Sequence, residues 1–175
     1  MITPLSFDKT DIDGLFVITM KQVSDERGTV REFYRRSAWE EVGLPPLGDI
    51  AQVNLTESRR GAVRGLHGES MSKLVAIAAG EAFGAYLDTR PDSPTVGNLV
   101  TVPLTAGTQV LVPNGVCNGF QTVSETSQYL YCFDTEWRPG MAGTAVTPVD
   151  PGLAIAWPLP PVLSEKDANA PRWTS

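Results

Sequence analysis

Histidine is nearly absent from this chain: His67 is the single one among 175 residues. Catalytic zinc and non-haem iron usually gather several imidazoles, and one His with carboxylates or Cys suits their preferences poorly. The sequence therefore predicts no catalytic metal. Cysteine is scarce too, and Cys117 and Cys132 are too few for a secreted disulfide framework. Met1 to Lys9 hold no apolar run of signal-peptide length, and no stretch approaches the roughly 20 apolar residues of a membrane span. Reduced thiols in a cytoplasmic protein are the expectation. Positive charge is also in deficit, with 14 Lys and Arg against 20 Asp and Glu and a net charge of -6. A nucleic-acid or anionic-membrane surface would need a basic face. A local cluster of Arg and Lys can still hold one phosphorylated ligand. Internal repeats, heptads and low-complexity segments are missing.

What is present fits one all-β domain spanning residues 1–175. Hydrophobic residues make up 42% and charged residues 19%, ordinary for a globular core, and the 16 Gly and 14 Pro are spread along the chain. That distribution suits short strands joined by tight turns. Strand-like stretches fall at 14–20, 29–34, 49–56, 62–67, 73–79, 82–88, 99–104, 108–112, 119–123 and 128–133. The one convincing helix runs from Ser37, as N-cap, to Gly43, as stop. Gly80-Glu81 between two apolar runs predicts a hairpin, and Pro113-Asn114-Gly115 a loop. Strands at this spacing point to a sandwich or barrel of the jelly-roll type, with few short helices. By composition alone, the tail from Pro158 to Ser175 is a dispensable extension.

Three places could carry chemistry. His67 closes the Arg64-Gly65-Leu66-His67 strand, either as a buried structural histidine or as a general base, since an imidazole titrates near neutrality. Lys73 starts the next strand, where a cation is either solvated or poised to stabilise an oxyanion. In Gln128 to Phe133 the period of two puts Tyr129, Tyr131 and Phe133 on one face, as core stripe or as the source of a phenolic acid. Arg27, Arg59, Arg60 and Arg64 are surface charges, or some converge on a diphosphate.

The order of these pieces resembles one family. Asp25-Glu26-Arg27-Gly28 with Glu32, Gln52-Val53-Asn54, Arg64 to His67, and Lys73-Leu74-Val75 with Gly80-Glu81 are similar to motifs of the dTDP-4-dehydrorhamnose 3,5-epimerases, cupin-fold sugar-nucleotide epimerases. So are Asp88-Thr89-Arg90 with Ser93-Pro94-Thr95, Val112-Pro113 through Gly119-Phe120, Ile155-Ala156-Trp157-Pro158, and Leu163-Ser164 with Lys166-Asp167 and Ala170-Pro171. The resemblance spans about Gly14 to Pro171. It implies a cupin-type jelly roll that epimerises a nucleotide-linked 4-keto-6-deoxy sugar at C3, C5 or both. No cofactor is implied. His67 is then the base, Asp167 its dyad partner, Tyr131 the acid and Lys73 the enolate-stabilising cation. Substrate contacts fall on Arg27, Glu32, Gln52, Asn54, Arg64, Asn118 and Lys166, with Trp137 stacking on the nucleotide base. The family's exchanged N-terminal strand implies a homodimer.

The likeness departs at three points. Asn118 replaces the family's second histidine, the stretch from Gly68 to Ser72 is shortened, and Gly84 stands where an aspartate is common. The short His-Gly-Glu form with Asn118 resembles a branch that includes epimerases of GDP-linked keto-heptoses, which leaves the nucleotide and the number of inverted centres open. Other readings are a 3,4-ketoisomerase, which generally uses a histidine pair, a non-catalytic sugar-nucleotide binding module, and a metal-dependent cupin oxygenase, which one His disfavours.

Overall fold

Period-two patterning becomes an almost all-β architecture in the computed structural model, which describes residues 1–174. The elements are β1 (Ile2–Thr3), β2 (Ser6–Lys9), β3 (Phe16–Thr19), β4 (Lys21–Asp25), β5 (Gly28–Glu32), α1 (Arg36–Val42), β6 (Gln52–Arg59), β7 (Val63–Glu69), β8 (Lys73–Ala79), β9 (Ala82–Asp88), β10 (Leu99–Leu104), β11 (Thr108–Val112), β12 (Val116–Thr122), β13 (Thr126–Phe133), β14 (Gly143–Ala145) and α2 (Glu165–Ala168). A six-stranded sheet runs β2-β3-β11-β8-β13-β6 and a five-stranded sheet β10-β9-β12-β7-β14, while β1-β4-β5 form a separate three-stranded arm. From β6 to β14 the chain keeps crossing between the two larger sheets, which gives the expected jelly roll.

That crossing corrects the Gly80-Glu81 hairpin. β8 pairs with β11 and β13, β9 pairs with β10 and β12, and the two never pair with each other. The turn is a corner from one sheet to the other. Gly80 has φ 78, and a Cβ there would meet the Thr126 carbonyl oxygen at 2.3 Å. Sequence shows two apolar runs joined by a tight turn but not which sheet each run joins.

Between the sheets lie Val75, Ile77, Tyr86, Leu104, Val110, Phe120 and Tyr129, all buried. Phe120 of β12 stacks on Tyr129 of β13 across the gap at 3.9 Å and 6°. Helix α1 buries Trp39 against Tyr34, Leu44 and Leu47, and Gly43 ends it at φ 84. Its N-cap is Arg35, without a side-chain cap, rather than Ser37. Ser37 is already inside the helix, whose phase is fixed by burying Trp39.

The tail is no extension. The Val63 N–H donates to Val162 O at 2.9 Å, Gln121 exchanges hydrogen bonds with Leu159, and the Trp173 N–H reaches Asp150 Oδ2 at 2.7 Å. Leu153, Ile155, Trp157 and Trp173 cover Leu66, Leu87 and Cys117 on the outer face of the five-stranded sheet. Backbone pairing and apolar cover, which composition does not display, bind it there. No helix is long and apolar enough to cross a membrane among the described residues.

Candidate active site

Strand β7 sets the site. Opposite it, β12 pairs Asn118 with His67 and Phe120 with Arg64, so Gly65 and Leu66 of β7 stand against Gly119 alone. The extra residue is a bulge, and a bulge reverses which face later side chains take. Arg64 and His67, an odd number apart, consequently line the same cavity of about 210 Å³. Glu69, two residues beyond His67, lines it too.

His67 Nε2 lies 2.8 Å from Asp167 Oδ1, a contact spanning 100 residues of sequence. The Asp167 side chain is buried, at 8% exposure, while His67 is partly open to the cavity. Ser164 holds the carboxylate in place by capping α2, its Oγ accepting from the Asp167 N–H at 3.1 Å. An ionised carboxylate only accepts, so the pair requires the proton on Nε2 and leaves the Nδ1 lone pair as the basic site.

Beside His67, the Lys73 ammonium is buried and fully engaged. It donates to Glu69 Oε2, to Asn118 Oδ1 at 2.8 Å and to His67 O at 3.3 Å. Burial pushes the Glu69 carboxyl up, but the charge and hydrogen bond of Lys73 outweigh it, and the net shift is downward. Glu69 is thus held ionised. Because an ammonium only donates, the Asn118 atom facing it is the oxygen, which leaves the amide Nδ2 as this side chain's donor. Asn118 is 6% exposed and sits within β12, so it supplies no turn.

The opposing wall comes from β13. Tyr131 and Phe133 line the cavity, whereas Tyr129 is fully buried deeper in the core. Burial pushes the Tyr131 phenol up to about 12, against opposing effects of Thr56 and the Arg64 charge. At neutral pH it carries its proton.

Other predicted residues divide into four groups. Asn54 and Trp137 line the cavity. Gln52 orders its rim, donating to Asn54 Oδ1 at 3.0 Å and accepting from the Trp137 N–H at 2.8 Å. Lys166 lines an adjoining cleft that shares His67, Glu69 and Trp137. Arg27 and Glu32 lie on the arm, pair with Asp25 and Arg35, and line none of these cavities. Sequence reading missed Glu69 because it ended the strand at His67; one more period-two step would have found it. Among the described residues no group of three His, Cys, Asp or Glu could hold a metal ion.

Residues 9–175 match the family described as dTDP-4-dehydrorhamnose 3,5-epimerase. The chain is 36% identical to the Salmonella typhimurium dTDP-4-dehydrorhamnose 3,5-epimerase over 171 residues, 93% of this chain and 92% of that one. It is 32% identical to a dTDP-4-dehydro-6-deoxyglucose 3-epimerase of Streptomyces bikiniensis, over 85% of this chain and 79% of that one. A solved dTDP-6-deoxy-D-glucose-3,5-epimerase from Legionella pneumophila, in complex with dTDP-4-keto-L-rhamnose, superposes with a TM-score of 0.87 at 33% identity, covering 98% of this chain and 100% of that one.

Proposed function

The chain belongs to the dTDP-4-dehydrorhamnose 3,5-epimerase family, and on that premise we propose that it inverts C3, C5 or both in a nucleotide-linked 4-keto-6-deoxy sugar. One observation carries this reading. A base and an acid face one cavity from opposite sheets, His67 from β7 and Tyr131 from β13. Inversion needs removal of a proton from one face of a carbon and its return to the other.

The ketone acidifies the neighbouring C–H bonds. His67 Nδ1 takes such a proton, Asp167 stabilises the resulting imidazolium, and the C–H electron pair moves into the C4 carbonyl. The enolate oxygen receives the Asn118 Nδ2–H, while Lys73 contributes positive charge through the amide that it polarises. Tyr131 then gives its proton to the opposite face of the carbon. Solvent reprotonates the phenolate and accepts the proton held by His67. No cofactor is required by these steps.

Trp137 stacks on the base at the cavity mouth, and Arg64 and Lys166 flank His67 to hold the diphosphate. Arg27 and Glu32 serve the site of a second copy. Supporting this, β5 and β6 are both free edges, with Val30 75% exposed on the first and Val53 and Leu55 54% and 57% on the second. Pairing β5 with a second copy's β6 covers these side chains and makes a homodimer. Two buried free cysteines suit a reducing cytoplasm.

The test is incubation with dTDP- and GDP-linked 4-keto-6-deoxyglucose in deuterated water, followed by NMR. Deuterium at C3 or C5 with inverted product is expected. No exchange with either nucleotide series would refute the proposal.

A further inference from the structure

Glu69 has no part in the proton transfers just described, yet it stands beside the base. It lines the cavity with His67 and Asn118 and shares the adjoining cleft with His67 and Trp137. Its side chain keeps 24% exposure, open to that space. Oε2 takes the Lys73 ammonium, whereas Oε1 has no side-chain partner among the described residues. An ionised carboxylate can only accept hydrogen bonds. Lys73 meanwhile has three N–H donors and three acceptors, Glu69, Asn118 and the His67 carbonyl. The wall next to the base therefore offers a substrate an acceptor, not a free cation. A carboxylate oxygen open to a sugar site can exchange its water for a substrate O–H, and a sugar that displaces the water without supplying an O–H leaves it unmet at a desolvation cost.

We propose that Glu69 is a specificity-determining residue, whose Oε1 accepts a hydrogen bond from a sugar hydroxyl at C2 or C3. The inference rests on the epimerase reading and adds to it a requirement on the substrate: a free hydroxyl on the ring near the carbon that His67 deprotonates. A methylene in that place leaves the carboxylate unmet, and sites built to bond a hydroxyl reject analogues lacking it.

The experiment compares 4-keto-6-deoxyglucose with its 2-deoxy and 3-deoxy counterparts, linked to whichever nucleotide the wild type turns over. Exchange in deuterated water, read at whichever of C3 and C5 the wild type labels, serves all three. Wild type is expected to favour the hydroxylated sugar by about ten- to a hundredfold in kcat/KM over at least one counterpart, and Glu69→Gln to reduce that ratio to within about threefold, the scale of a hydrogen bond to a charged acceptor. A shifted Lys73 would slow all substrates alike and leave the ratio unmoved. If Glu69→Gln does not fold, Glu69→Asp, which withdraws the carboxylate by one methylene, must lower the same ratio. Equal wild-type activity on all three sugars overturns the inference, as does a preference that survives in the folded variant. Absence of exchange with any of them removes the epimerase reading itself.

Discussion

In the proposed mechanism, Tyr131 separates proton removal from inversion. Tyr131→Phe leaves His67, Asp167 and Asn118 in place, so deprotonation continues, but nothing on the opposite sheet returns the proton. Deuterium should wash in with retained configuration and little inverted product, read by NMR. Tyr129→Phe should not behave this way, because Tyr129 is fully buried under Phe120. Asn118→Ala removes the donor to the enolate, and losing one such donor typically costs about 2.7–4 kcal/mol, or roughly a hundred- to thousandfold in turnover. Turnover and thermal midpoint measured on one sample distinguish that loss from simple destabilisation. His67, Lys73 and Tyr131 were legible as strand residues, and the structure brings all three to one cavity. Asn118 fell just outside the expected strand at 119–123, whereas the strand already begins at Val116. Glu69 lay beyond a strand end drawn too early, as β7 runs on to pair with β14.

Among the elements, α2 has the largest effect for its size. Four residues, capped by Ser164, bring a buried carboxylate to the base from 100 positions away. Asp167→Asn keeps the shape but removes the charge that fixes the tautomer. Turnover should fall by about a hundredfold or more, toward the ten-thousandfold loss known when the aspartate of a His–Asp pair is so replaced. Circular dichroism should be unchanged. Deleting the tail is a poorer test, because Trp157 and Trp173 cover Leu66 and Leu87 and the outer sheet would be bared. Local patterning could not show this. Most strand interiors were legible, from 73–79 to 128–133, yet β1, β2, β4 and β14 were not; Ser6–Lys9 and Gly143–Ala145 are too short and polar to declare a face. The sheet-to-sheet corner at Gly80 was equally hidden, because alternation gives a strand's faces and not its neighbours.

At the scale of the whole molecule, acid and assembly offer independent tests. The Asp88 carboxyl has no exposure and accepts from Arg90, Ser93 and Thr95. Burial pushes it up, but these hydrogen bonds outweigh it and hold it far below the usual carboxylate range. Its stabilisation is therefore complete above the unfolded value of about 3.9 and is lost as pH falls below it. Asp88→Asn should lower stability at pH 7 by about 1–3 kcal/mol, and its thermal midpoint should converge with wild type as pH drops toward 2. Assembly is tested by mixing two variants each expected to be inactive, Arg27→Ala and His67→Asn. If Arg27 serves the second copy's site, random dimers regain about a quarter of wild-type activity, because half are mixed and one of their two sites is intact. No recovery would place Arg27 outside the partner's site.

The central claim is that the lone imidazole removes the proton. Wild type and His67→Asn, both shown to be folded, are incubated with the turned-over 4-keto-6-deoxy sugar nucleotide in deuterated water, and deuterium at C3 and C5 is followed by NMR. The account predicts rapid incorporation for wild type and almost none for His67→Asn, since no other histidine exists to replace it. Near-normal incorporation by folded His67→Asn would contradict it.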